Sequence, residues 1–238
     1  MDLSFSVSKS LTPWYLFAGF VFVIAVAAPL TAPAQYLHPK VTGKQTAIRS
    51  VVILPAKVEI VRSGMKGPEG MAAESEELSA RVEKAVAEVL ASKKQVTTVA
   101  GPTFASGDAD SQAKYAVTDM QTKFDDLLPK VMKKKGDVKK GRFTIGDEVM
   151  NLNLDKSADA IIFIRGQGQK LTSGKMAFTL LIGGAPAYLW LRIGIVDARS
   201  GEVLVYTEQV FAGDPTTAVE RLRKAIEKSF KKLPAVKA

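Results

Sequence analysis

The chain has 238 residues, a formal net charge of +9, one histidine and no cysteine. Those counts exclude disulfides, lipidation at a cysteine, metal centres built on cysteine or several histidines, and any Cys/His nucleophile pair. With 47% hydrophobic residues, the chain carries enough apolar material for one sizeable core.

A lightly charged start (Asp2, Lys9) leads into an apolar run over 14–30, and no charged residue lies between Lys9 and Lys40. Ala32 and Ala34 stand at the −3 and −1 positions of a signal-cleavage site, with Gln35 next. Residues 1–34 are expected to be a secretory signal, and the rest exported, to the periplasm or in association with the outer membrane. The alternative is an inner-membrane anchor through 14–30. A helix of that length spans roughly 25 Å against a hydrocarbon core of roughly 30 Å, a mismatch that local thinning can absorb. Pro29 and Pro33 break the end of such a helix, which favours cleavage. Residues 35–49 read as an extended polar lead-in and 50–238 as a single domain.

The run 50–55 is apolar on both faces, as in a strand buried on two sides, and continues through Val58, Ile60 and Val61. Gly64, Gly67, Pro68 and Gly70 mark a loop. Residues 74–94 predict a helix with Leu78, Val82, Ala85, Val86, Val89 and Leu90 on one face, acidic at its start and basic at its end. A short β-branched strand over 95–100 follows. A second helix over 111–134 carries the stripe Ala113, Val117, Met120, Phe124, Leu127 and Val131, with a kink expected at Pro129. A basic loop covers 136–142. Thr144 to Asp147 resembles a capping box that opens a short helix to about Leu154. The second buried strand covers 158–165, with Gly166 and Gly168 expected to end or bulge it.

The segment 176–196 holds one charge, Arg192, and its hydropathy alone would read as membrane-spanning. Gly183, Gly184 and Pro186 interrupt it, however. Leu189, Leu191, Ile193 and Ile195 then alternate with Trp190, Arg192, Gly194 and Val196, which is strand periodicity. A turn rich in Asp, Ser and Gly leads to another strand over 203–211. Asp214 and Pro215 predict the start of a last helix with the stripe Val219, Leu222, Ile226, Phe230 and Leu233. The fold class is α/β, α+β-like. The expected architecture is a mixed sheet of about five to six strands with a late β-meander, flanked by three to four helices.

The positive charge is clustered. Lys133, Lys134, Lys135, Lys139, Lys140 and Arg142 form one group, and Arg221, Arg223, Lys224, Lys228, Lys231, Lys232 and Lys237 another. Such clusters either solvate a helix face or attract an anionic surface. The first group, set among glycines 136 and 141, is the expected contact site for an anionic membrane, a cell-wall surface or a partner. Nucleic acid is not expected, because no aromatic residues interleave the cations. No catalytic motif, cofactor site or metal site emerges. His38 stands alone. Asp108 and Asp110 lack the spacing of a calcium loop. Asp125 and Asp126 are neighbours on a helix and point apart. The stretch 168–175 has five residues between its glycines where a phosphate loop needs four.

Three motifs carry a family resemblance. Val51-Val52-Ile53-Leu54-Pro55, the strand Ala158-Asp159-Ala160-Ile161-Ile162-Phe163-Ile164 with Gly166 after it, and the hairpin around Val196-Asp197 and Ser200-Gly201-Glu202-Val203 resemble a group of bacterial envelope proteins. That group includes curli-secretion-channel lipoproteins, exopolysaccharide-export accessory lipoproteins and outer-membrane activators of peptidoglycan synthases. The resemblance implies a periplasmic α/β domain without enzymatic activity that assembles with or docks on other envelope components, or self-associates. The lipidated cysteine of those proteins is absent here. Two other readings stand beside it. One is a small-molecule or glycan binder using the loops 64–70 and 101–110. The other is a pore subunit with 176–211 as a membrane hairpin.

Overall fold

The computed structural model describes residues 34–64, 67–92, 96–102, 109–172, 179 and 187–233. Among the described residues eight strands form one mixed sheet: β1 (Ala34–Leu37), β2 (Ser50–Ile53), β3 (Lys57–Gly64), β4 (Gly67–Gly70), β5 (Thr97–Thr98), β6 (Ala160–Leu171), β7 (Ala187–Asp197) and β8 (Val203–Ala212). The order is β1-β8-β7-β6-β2-β5, with β3 also paired to β6 and β4 to β3. The helices are α1 (Pro39–Thr42), α2 (Ala72–Ser92), α3 (Ala109–Lys133) and α4 (Val219–Ser229), with 3-10 turns at Lys135–Lys140 and Asp147–Leu152.

The mixed α/β class holds, and the strand count exceeds the five to six expected. One extra strand comes from splitting the first apolar run. β2 pairs parallel to β6 from Val51↔Ala160 to Ile53↔Ile162, and β3 resumes at Lys57↔Arg165. Three residues thus face two on β6, the signature of a bulge. Pro55 has no N–H to give the ladder, and its carbonyl is taken by Gln121 Nε2 at 2.9 Å. A second extra strand, β4, folds back on β3 through the glycines read as a loop. The third is β1, inside the stretch read as a lead-in, where Gln35, His38, Val41 and Ile48 are buried.

Each face of the sheet has its own core. On one face Val58, Ile60, Leu189, Leu191, Ile193 and Ile195 pack against α2 and α4 through Leu78, Val82, Val86, Leu222, Ile226 and Phe230. On the other, Val52, Ile161, Phe163, Val196 and Tyr206 pack beneath α3 through Met120, Phe124, Leu127 and Val131. The meander β6-β7-β8 is antiparallel throughout. Its alternate residues are buried in the α2-side core, so its described part is the centre of the sheet and not a lipid-facing hairpin; 180–186 lie outside the described residues.

Four local expectations are corrected. β6 runs straight through Gly166 and Gly168, because a Cβ at 166 would stand 2.8 Å from Val58 Cγ1; the glycines let β3 side chains lie across the strand. Thr144 does not cap a helix. Its hydroxyl accepts from Gly146 N at 2.9 Å and donates to Ser200 O at 3.2 Å, and a 3-10 turn stands where a short helix was expected. Asp214 closes a turn instead of capping α4. Its Oδ1 accepts from Thr216 N at 2.9 Å, and the helix starts only at Val219, which is exposed. Ala116 is buried on α3, while Ala113 is half-buried.

Candidate functional site

Among the described residues β1 is the outermost strand on its side of the sheet. It runs antiparallel to β8 from Ala34↔Glu208 to Leu37↔Val205, and His38 N donates to Leu204 O at 2.8 Å. Main-chain groups alternate along such a ladder. Those of Ala34, Tyr36 and His38 therefore point at β8, and those of Gln35 and Leu37 point out of the sheet. The strand is held by its side chains on both faces. Tyr36 lies on the α3 side, its ring 6.4 Å from that of Tyr206. Gln35 lies on the α4 side. Its Nε2 donates to Ser229 O, and its Oε1 accepts from Lys232 N at 2.7 Å.

These two attachments bring the basic clusters together. The 3-10 turn Lys135–Lys140 sits on the α3 side, with Lys139 Nζ 5.8 Å from the Tyr36 ring centroid. Gly141 closes that turn at φ +66° and backs onto His38, whose Nε2 would stand 2.5 Å from a Cβ at 141. The end of α4 and the turn after it, with exposed Lys228, Lys231 and Lys232, sit on the opposite side. Two groups about ninety residues apart in sequence thus flank one open strand edge from both faces.

The six residues expected to form the contact site divide in three. Lys133, Lys134 and Lys139 are exposed and form no close ion pair among the described residues. Lys140 and Arg142 are exposed but share Asp137, at 3.2 and 3.6 Å. The Lys140 ammonium holds the Asp137 carboxyl below the usual range, with Arg142 and Lys134 adding to it. Lys135 is withdrawn from the surface: its ammonium pairs with Glu208, whose side chain is 9% exposed. Glu208 also accepts from Tyr206 Oη at 2.6 Å and lies 4.0 Å from Arg192 Nε. Burial first, then the hydrogen bond to that carboxylate, pushes the Tyr206 phenol well above its ordinary pKa. Of the cleavage-site residues, Ala32 lies outside the described residues, Ala34 opens β1, and Gln35 is the buried tie to α4.

The other candidates have structural duties. His38 Nδ1 accepts from Lys40 N at 3.1 Å and caps α1. Asp125 binds Arg165 and, at 3.3 Å, Lys57, while Asp126 is exposed. Arg165 also donates to the carbonyls of Ile164 and Gln121, at 2.9 and 3.1 Å. Asp108 and residues 103–107 lie outside the described residues, and of Asp110 only the backbone is described. Among the described residues no three His, Asp or Glu side chains gather as metal ligands. A second exposed feature, Tyr188, Trp190 and Val210, lies on the α3 side of β7 and β8; Arg192 stacks on Trp190 at 4.3 Å.

Sequence reading found both clusters but not their meeting. It missed the buried ion set as well, although Arg192 and Glu208 stood as lone charges in apolar strands, which is the signal for a buried pair. No family model matches the chain, and no curated protein matches it. Among solved structures, the PelC dodecamer from Paraburkholderia phytofirmans aligns over 86% of this chain and 98% of that chain, with 10% identity and a TM-score of 0.39. A variant of the same dodecamer in another crystal form aligns over the same shares with 10% identity and a TM-score of 0.41.

Proposed function

We propose that this chain is an exported, non-enzymatic cell-envelope module that docks on an anionic partner through the basic rim of β1. The leader over 1–34 supplies the export reading, and periplasmic envelope assembly is the role that the family motifs imply. The observation that carries the docking reading is the convergence of two basic clusters on one edge, with six exposed lysines that form no close ion pair among the described residues: Lys133, Lys134, Lys139, Lys228, Lys231 and Lys232. A mere solvated helix face needs no such convergence. Lysines that already have partners, such as Lys135 and Lys40, are bound to Glu208 and Glu202 and stabilise the fold instead.

The test is envelope retention. Replacing Lys133, Lys134 and Lys139 by Glu, with Lys135, Lys140 and Arg142 kept in their ion pairs, should leave the thermal melt within a few degrees of wild type. It should release the protein from the envelope fraction at physiological salt. Unchanged retention rejects the docking site. N-terminal sequencing of the exported form, with Gln35 first, tests the compartment independently.

A further inference from the structure

Two strand stretches with main-chain groups turned away from the sheet, in β3 before it meets β4 and in β1, are treated differently. Along β3 the outward main-chain groups are taken up by α2: Val58 N donates to Ser79 Oγ and Ile60 N to Ser75 Oγ, both at 2.9 Å, and Ala56 N donates to Glu83 Oε2 at 3.2 Å. Along β1 the outward N–H and C=O groups of Gln35 and Leu37 have no partner among the described residues. An edge strand with open main-chain groups accepts an added strand.

We infer that the β1 edge binds an extended acidic polypeptide segment by strand addition, and this rests on the docking reading above. Charge decides the occupant. A second copy pairing edge to edge would bring Lys139 and Lys232 against their own equivalents, so the lysines keep this chain off itself and admit an acidic one. They also set the sequence of the guest. Side chains of an added strand point alternately to the two faces. Lys139 and its neighbours border the edge on the α3 side, and Lys228, Lys231 and Lys232 on the α4 side. Both faces of the guest meet cations, so its acidic residues fall consecutively and not at every second position. The ordered part is short, because β1 has four residues, two of them turned outward.

The experiment uses the full chain and three probes: a labelled hexapeptide Thr-Glu-Asp-Glu-Val-Thr, the same peptide with alternate amides N-methylated, and vesicles of phosphatidylglycerol and phosphatidylethanolamine. The parent peptide should bind, and weaken about tenfold between 50 and 300 mM salt. The methylated peptide should bind at least about tenfold more weakly, since it cannot complete the ladder. Lys139→Glu and Lys232→Glu, on opposite faces, should each weaken the parent peptide. The amide signals of Gln35 and Leu37 should move on binding and those of Val58 and Ile60 stay. Equal binding of both peptides, unmoved Gln35 and Leu37 amides, or binding to vesicles without peptide binding overturns strand addition. If the three-site variant still loses envelope retention in that case, the docking reading survives and only the acidic strand is lost.

Discussion

The single side chain with most at stake is Glu208. It carries the ammonium of Lys135, the phenol of Tyr206 and the charge of Arg192, which is 5% exposed and cannot move to water. Removing one partner of a buried charge set costs more than the set contributes, because the remaining ion is left without compensation. Glu208→Gln should therefore lower stability by about 2–4 kcal/mol in urea unfolding, and Tyr206→Phe by about 1 kcal/mol. If Glu208→Gln costs no more than Tyr206→Phe, the carboxylate is not the hub. His38 gives a pH dependence. Burial lowers its pKa from the ordinary 6.5, against the smaller upward pulls of Glu202 and Asp197. The unfolded chain then binds the proton more readily than the folded one, so this contribution is complete above pH 6.5 and is lost as pH falls below it. His38→Asn keeps an acceptor for Lys40 N and has nothing to titrate. Its Tm should lose the acid-side slope of wild type between pH 7 and 5; an unchanged slope assigns the loss to other groups.

At the scale of elements, what could be read from the sequence was what is local. The runs 50–53 and 160–164 and the alternation after Leu189 announced their strands. The stripes on α2 and α3 announced helices that run within two residues of the expected ends. The turn before β8 was also legible, since Asp197 Oδ1 accepts from Arg199 N and Ser200 N, at 2.9 and 2.8 Å. What could not be read was non-local. Gly166 and Gly168 look like breakers until the β3 side chains that cross them are placed. β1 looks like a polar lead-in because the reason for burying Gln35 lies almost two hundred residues away. Gly194 is the clearest case. A Cβ there would stand 2.5 Å from Phe124 Cε2, so α3 can lie this close to β7 only over glycine. Gly194→Ala should cost about 1–3 kcal/mol, and adding Phe124→Leu should recover part of it. Additive losses in the double variant would show that the ring and the glycine do not share one space.

For the whole molecule, the candidate site is a property of closure. The basic clusters were visible in the sequence, but only the docking of β1 between the 3-10 turn and the end of α4 makes them one surface. The same strand protects the sheet. Without it β8 becomes the edge, a ten-residue strand of largely apolar residues, and such edges pair with other chains. Cleavage after Ala34 gives up the Ala34↔Glu208 pair but keeps the rest of this arrangement, because Gln35, Tyr36 and Leu37 all remain. A form beginning at Pro39 loses the Gln35 bonds to α4, the Tyr36–Tyr206 contact and the buried His38. The 35–238 form should stay monodisperse in light scattering. The 39–238 form should lose about 2–4 kcal/mol of stability and gain concentration-dependent aggregates. Lysines 228, 231 and 232 remain in both forms, so charge alone predicts no difference. Equal solubility and stability of the two forms would therefore remove β1 from both roles, as closure of the sheet and as the frame of the docking edge.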